Sequence, residues 1–183
     1  MNDDVRLSKF MSLVLRHAPE QAGLTLDEAG WTDFNKLCDV MRSKFGASRD
    51  DVIRVIETNP KKRFTLDGDR VRAAQGHSVD VDLALAPVPP PDVLYHGTKQ
   101  DVLSGILAEG LQKRSRQHVH LSADVETAEI VARRRKGQDA ILVVDAAAMA
   151  SDGALFFLSE NGVWLTDAVA PRYLKPLPKR IIP

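Results

Sequence analysis

The sequence predicts an α+β protein built as two small lobes, and three observations carry that expectation. Residues 87–91 hold four prolines in five positions, which cannot join a helix or a central strand and favour an extended spacer. Before that spacer, apolar residues recur at helical spacing and then switch to alternation. After it, short strand-like runs are interleaved with short helices, without the strict strand–helix–strand alternation of a parallel sheet and without GxGxxG.

The first helix is read from Leu7, Phe10, Met11, Val14 and Leu15, at i, i+3, i+4, i+7 and i+8, a single apolar stripe. Pro19 ends it, so Arg16 and His17 are expected in its last turn. A second helix is expected from Trp31-Thr32-Asp33 to about Met41, with Thr32 as N-cap. Ser48-Arg49-Asp50-Asp51 resembles a capping box with Asp in place of Glu and opens a third helix to about Thr58. Residues 63–73 then read as a hairpin, with Phe64 and Leu66 alternating with polar residues and Asp67-Gly68 as the turn. Three helices followed by a hairpin is the pattern of a winged-helix module, a common scaffold for nucleic-acid contact.

In the second lobe, 93–95 is expected as a short strand running into His96-Gly97-Thr98. A helix over 102–107 stops at Gly110. A strand over 118–121 follows, then a helix over 124–135 capped by Ser122, and an apolar strand over 140–145. Strands at 155–158 and 163–166 flank the Asn161-Gly162 turn. The expected boundaries are 1–76 for the first lobe, 77–92 for the linker and 93–183 for the second lobe.

Composition sets the outer limits. The chain has 183 residues, is 44% hydrophobic, and carries 25 Lys plus Arg against 25 Asp plus Glu. Zero net charge removes the argument from a globally basic nucleic-acid binder but leaves room for a local basic face. One cysteine, Cys38, allows no intramolecular disulfide and suits a reducing compartment. No apolar leader opens the chain, and no run approaches the ~20 apolar residues of a membrane span. The expectation is a soluble cytoplasmic protein, monomeric and without a membrane partner.

The chemistry is expected at basic and histidine-containing strings: Leu15-Arg16-His17, Lys61-Lys62-Arg63-Phe64, Tyr95-His96-Gly97-Thr98 and Arg116-Gln117-His118-Val119-His120-Leu121-Ser122. None has metal-ligand spacing, and none places a nucleophile beside its base. Arginines and histidines without a partner acid suit a substrate that brings the negative charge, because Arg presents a fixed fork of donors to phosphate oxygens. A phosphate-handling site drawn from both halves is therefore expected. Each string also has a structural reading. Arg16-His17 complement a helix dipole, Lys61-Lys62-Arg63 suits a solvated turn, and His96-Gly97-Thr98 suits a strand end. Gly97 would otherwise let backbone approach a ligand. Arg116, His118 and His120 alternate and would share one face of a strand. Arg133-Arg134-Arg135-Lys136 reads as a solvated helix end, with a contact to a phosphate backbone as the alternative, and Trp31 and Trp164 read as core.

In order and spacing, these strings resemble the RNA 2′-phosphotransferases of the KptA/Tpt type, NAD-dependent enzymes that remove an internal 2′-phosphate from RNA, as in tRNA splicing. The resemblance runs from about Leu7 to Tyr173. It is carried by Ser8-Lys9-Phe10-Met11-Ser12-Leu13-Val14-Leu15-Arg16-His17, Lys62-Arg63-Phe64, Gln75-Gly76-His77-Ser78, Tyr95-His96-Gly97-Thr98, residues 116–122, and Glu160-Asn161-Gly162-Val163-Trp164-Leu165-Thr166. It implies a winged-helix-like RNA-binding lobe followed by an ADP-ribosyltransferase-like NAD-binding lobe. It places the catalytic set on Arg16, His17, Arg63 and Arg116. NAD, consumed as co-substrate, falls to His96, Gly97, Thr98, His120 and Ser122, with no metal. Ile141-Leu142-Val143-Val144 offers no glutamate, unlike many transferases that modify proteins. The implied reaction has two steps through 2′-phospho-ADP-ribosylated RNA, releasing nicotinamide and ADP-ribose 1″,2″-cyclic phosphate. Two alternatives remain open at this point: a one-step ADP-ribosyltransferase acting on nucleic-acid phosphates, and an NAD-sensing winged-helix nucleic-acid-binding module.

Overall fold

The structure, a computed structural model, describes residues 3–178. The chain divides into two compact units, Met1–Leu85 and Ala86–Pro183. The 77–85 stretch, expected to begin a linker, packs inside the first unit. His77, Val81 and Leu83 are buried there, and the backbone N–H groups of Ser78 and Val79 donate to the Arg16 carbonyl.

In the first unit, α1 spans Asp3–Val14 and turns Leu7, Met11 and Val14 inward. His17 and Ala18 both donate to the Leu13 carbonyl, at 2.9 and 3.0 Å, which closes the helix end. Arg16 and His17 thus lie on the turn just past the helix rather than within it. Pro19 opens a short 3-10 turn, Pro19–Ala22. The next elements are β1 (Thr32–Asp33), α2 (Phe34–Phe45), α3 (Arg49–Glu57), β2 (Phe64–Asp67) and β3 (Arg70–Ala73).

The cap of α2 is Asp33, whose side chain accepts from the Lys36 N–H at 3.0 Å, not Thr32. Thr32 is instead buried in β1, paired with Val71. The helix also runs on to Phe45, because Phe45 meets Phe10 edge-on at 5.2 Å and Gly46, at φ +68°, ends it. The box at α3 forms as expected: Ser48 N–H to Asp51 at 2.8 Å and Asp51 N–H to Ser48 Oγ at 3.1 Å. The expected hairpin is present, and β1 adds a third antiparallel strand in the order β1-β3-β2. Met11, Leu15, Phe34, Leu37, Met41 and Val52 form its core. Cys38 sits among them, and burial pushes its thiol pKa up, which leaves it a poor nucleophile at neutral pH.

The second unit runs β4 (Val93–Lys99), α4 (Gln100–Glu109), β5 (Leu111–Gln112), β6 (Val119–Leu121), α5 (Val125–Ala132), β7 (Asp139–Asp145), α6 (Ala146–Ser151), β8 (Phe157–Leu158), β9 (Trp164–Thr166), β10 (Ala168–Val169) and β11 (Leu174–Pro176). Its sheets are ordered β11-β7-β4, β6-β9-β8 and β10-β5. A bridge between Tyr95 and Ser122 ties β4 to the end of β6. All described strand pairs are antiparallel, so the class is α+β.

Two readings change here. His96-Gly97-Thr98 is not a strand-end turn but the middle of β4, opposite Leu142, Ile141 and Ala140. The apolar run of β7 extends the pairing past the point where the polar residues suggested a stop. Ser122 does not cap α5. Asp124 does, accepting from the Thr127 N–H at 2.7 Å, and Ser122 spends its backbone on the Tyr95 bridge.

Gly97 has a packing role. A Cβ there would stand 1.9 Å from the Ala128 carbonyl oxygen and 3.0 Å from the Ala132 nitrogen. Its absence lets the backbone of α5 lie directly on β4. At the strand's end, Lys99 is buried and bonds Asp139 and the Gly137 carbonyl, which fixes the loop after α5.

Gly97→Ala is expected to destabilise the second unit by at least ~3 kcal/mol, the upper range for overpacking, because backbone must move. Gly105→Ala is the control. It lies within α4 with open space around its Cβ position, and gains up to ~1 kcal/mol from helix propensity. Urea unfolding of both variants checks the pair, and equal stabilities would remove the packing role.

Candidate functional site

The first unit gathers its cations on two tethers. One is the turn after α1. The Arg16 carbonyl accepts from Ser78 N–H at 2.9 Å, and Ser78 Oγ lies 2.8 Å from His17 Nδ1. His77, beside them, is 1% exposed, and neither ring nitrogen has a hydrogen-bond partner among the described residues. Burial, then the charges of Arg16, His17 and Arg72, lowers its pKa to about 4. His77 is therefore a neutral wedge beneath charged neighbours. Gly30, at φ +79°, leaves room for it, since a Cβ there would approach its Nε2 to 3.2 Å.

The other tether holds Arg63. Ser8 Oγ, buried on α1, accepts from Arg63 Nη1 at 3.3 Å and from Asn59 Nδ2 at 3.1 Å. Asn59 in turn accepts the Lys61 N–H on its side chain and the Lys62 N–H on its carbonyl. That turn holds Lys62 at φ +41°, a conformation lysine rarely adopts. Arg63 thereby enters β2 with its guanidinium brought back to α1. A groove of about 380 Å³ opens beside it, with Val5 and Pro60 on its apolar part, Lys9, Lys61 and Arg63 as cations, and Asp4, paired with Arg54, as its acid.

The second unit assembles Arg116, His96 and His120. His96 Nδ1 lies 3.0 Å from the His120 carbonyl. A carbonyl only accepts, so Nδ1 carries the proton. Burial lowers the His96 pKa, the carbonyl bond opposes that, and Arg116 and Arg135 reinforce it. The ring is neutral, with Nε2 as a bare acceptor. Arg116 Nη1 lies 3.1 Å from His120 Nδ1. A guanidinium only donates, so in neutral His120 the proton is on Nε2. Burial, then the Arg135 and Arg134 charges, pushes the Arg116 pKa down.

The structure separates two expected partners. The strand begins only at Val119, so alternation does not reach Arg116. His118 turns instead to the Phe157 ring, 5.6 Å away between centroids, while Arg116 stays with His120. Thr98 lies within β4, and Ser122 beside Tyr95 at the bridge. Gly97 faces α5 rather than open space. Arg133 is the solvated helix end, paired with Glu129 at 3.0 Å. Arg134, Arg135 and Lys136 are exposed as expected, and the charges of Arg135 and Arg134 also act on Arg116. Trp164 packs on the second core, as expected. Trp31 is only half-buried, with Arg72 and Arg70 over its ring at 4.5 and 4.9 Å.

One contrast sorts the cations. Arg54, Lys99, Lys113 and Arg133 pair with carboxylates. Arg63 and Arg116 bond a serine hydroxyl and an imidazole nitrogen. Neutral acceptors hold a guanidinium in place and leave its charge available to an incoming anion. Among the described residues, no three His, Cys, Asp or Glu side chains converge to hold a metal, and no helix is long and apolar enough to cross a membrane.

Comparison with known proteins adds a family. The model described as "RNA 2'-phosphotransferase, Tpt1 / KptA family" matches residues 2–168. A probable RNA 2′-phosphotransferase of Rhizobium leguminosarum is 59% identical over 173 residues, 94% of each chain. Those of Hahella chejuensis and Fusobacterium nucleatum are 53% and 48% identical, covering 93% and 96% of this chain and 92% and 99% of their own.

The depressed His77 pKa sets a pH dependence. The unfolded imidazole takes a proton near pH 6.5, but the folded one only near 4, so stability falls as pH drops through that window. Between pH 7 and pH 5 the loss from this residue is ~2 kcal/mol. Urea unfolding at both pH values should show a smaller loss for His77→Gln than for the wild type. An equal loss would mean that His77 is not the titrating group.

Proposed function

The chain belongs to the RNA 2′-phosphotransferase family, and on that premise we propose that it removes an internal 2′-phosphate from RNA by transferring it to NAD⁺. The first unit serves as the winged-helix-like RNA-binding lobe, and the second, after the Pro-rich stretch, as an ADP-ribosyltransferase-like lobe that binds NAD⁺. The observation that carries this reading is the pairing of Arg63 and Arg116 with neutral partners rather than acids. Such cations suit a substrate that arrives as a phosphate dianion.

In the first step a 2′-phosphate oxygen attacks C1″ of the nicotinamide ribose. The C1″–N bond breaks and nicotinamide leaves. A phosphate dianion needs no general base to act as the nucleophile. In the second step the ribose O2″ attacks phosphorus and its proton is lost to solvent. The P–O2′ bond breaks, O2′ takes up a proton, and ADP-ribose 1″,2″-cyclic phosphate leaves. This step crowds negative charge on phosphorus, where preorganised cations are worth most.

Arg16, His17 and Arg63 take the 2′-phosphate and adjoining RNA phosphates, and His17 protonates O2′. Arg116 holds the phosphate against the NAD⁺ ribose. His96, with Nε2 as acceptor, and Thr98 bind NAD⁺ hydroxyls, as do His120 and Ser122. Gly97 contributes by seating α5 on β4. The protein works as a cytoplasmic monomer without a metal.

The test uses a short RNA with one internal, labelled 2′-phosphate, incubated in EDTA with and without NAD⁺. The expected result is NAD⁺-dependent movement of label to ADP-ribose cyclic phosphate, with one nicotinamide per phosphate. Arg63→Ala should lower that rate by about a hundredfold or more. ADP-ribosylated RNA as the end product would instead establish a one-step transferase, and NAD⁺ bound but unchanged would establish a sensing module.

A further inference from the structure

The second residue of the His77-Ser78 pair has no part in the reaction as written, yet it touches the proposed proton donor. Ser78 Oγ lies 2.8 Å from His17 Nδ1. The same residue's N–H, with that of Val79, is bonded to the Arg16 carbonyl at 2.9 and 3.4 Å. The hydroxyl is therefore referenced to the backbone turn that carries the imidazole, through bonds that do not involve its own side chain. His17 itself is exposed.

We propose that Ser78 is a positioning residue that holds His17 by Nδ1 and leaves Nε2 as the nitrogen that delivers the proton to O2′. This rests on the phosphotransferase reading above. The chemistry favours a hydroxyl in this place. When Nδ1–H donates to Ser78 Oγ, the bond is the same in imidazolium and in neutral imidazole, so the ring need not move when Nε2 gives up its proton. A carboxylate would orient the ring equally well. It would also hold the proton more tightly, and it would set a negative charge facing the RNA phosphate. A neutral hydroxyl does neither. The second unit uses the same device on His96, where the acceptor is the His120 carbonyl.

The device predicts which step suffers. Step one needs no proton donor, whereas step two ends with protonation of O2′. Ser78→Ala retains the backbone N–H groups and hence the tie to Arg16. It should fold with wild-type thermal stability, keep the KM for NAD⁺, and slow the second step by about tenfold to a hundredfold more than nicotinamide release, part of a general acid's full contribution. ADP-ribosylated RNA should accumulate in single-turnover reactions. Ser78→Thr, which restores the hydroxyl, should recover the second step. Nitrogen-15 NMR of the imidazole should show His17 with Nδ1 protonated in the wild type and in Ser78→Thr. Ser78→Ala should add the Nε2–H tautomer.

Wild-type second-step rates in Ser78→Ala, equal slowing of both steps, failure of Ser78→Thr, or an unchanged His17 spectrum in Ser78→Ala would each overturn the positioning role. A wild-type protein that leaves the 2′-phosphate in place would overturn the phosphotransferase reading itself, and the catalytic meaning of the contact with it.

Discussion

Positive charge held without acid is the constraint on which this protein's design turns. Two like charges ~4 Å apart near a protein surface repel by ~4 kcal/mol, so gathering arginines requires neutral groups to hold them. Ser8 Oγ holds Arg63, and His120 Nδ1 holds Arg116. His77, kept neutral by burial, fills the space beneath Arg16 and His17. Elsewhere the same chain pairs its cations with carboxylates in the ordinary way, as at Arg54 with Asp4 and Asp51. The difference between the two treatments is what singles out Arg63 and Arg116 as the proposed phosphate-binding groups.

Each neutral partner is fixed by the fold around it. Ser8 projects from α1 into a buried position, where its hydroxyl accepts from both Asn59 and Arg63. In the second unit, β4 carries His96 at mid-strand, opposite Leu142 of β7. The neighbouring Tyr95–Ser122 bridge ties it to the strand of His120. Gly97 makes this possible from the other side, since α5 rests where its side chain would be. Helix α5 in turn ends in the run that brings the Arg134 and Arg135 charges to bear on Arg116. A packing glycine and an electrostatic cluster are thus parts of one arrangement.

Much of this was legible in the sequence, because local rules and pattern periods agree over most of the chain. The Ser48–Asp51 box, the Asp67-Gly68 hairpin and the Gly110 helix stop are all formed as read. Misreadings arose where tertiary pairing outweighed local signals. Thr32 yielded the cap to Asp33 because β3 took its backbone, and the His-Gly-Thr string stayed in a strand because β7 was long enough to pair with it. Among the proposed site residues, Arg16, His17, Arg63, His96, Arg116 and His120 stand out in the sequence by type. Ser8 and Ser78 enter only as members of strings that carry the resemblance, and Asn59 not at all, because a neutral partner has no signature in composition or spacing. It is visible only once distant segments meet, as Ser78 meets His17 across 61 positions. The alternation of Arg116, His118 and His120 misled for a related reason, since periodicity carries no information before the strand begins at Val119.

In the proposed reaction the phosphate passes to a sugar and is not released to water. Phosphorus NMR of a single reaction containing the 2′-phosphorylated RNA, NAD⁺ and the protein follows that atom directly. The predicted result is loss of the RNA monoester resonance and growth of a five-membered cyclic phosphodiester in equal amount, with none when NAD⁺ is omitted. Growth of inorganic phosphate, with or without NAD⁺, would contradict the account, because it would mean that water rather than the ribose hydroxyl had reached the phosphorus.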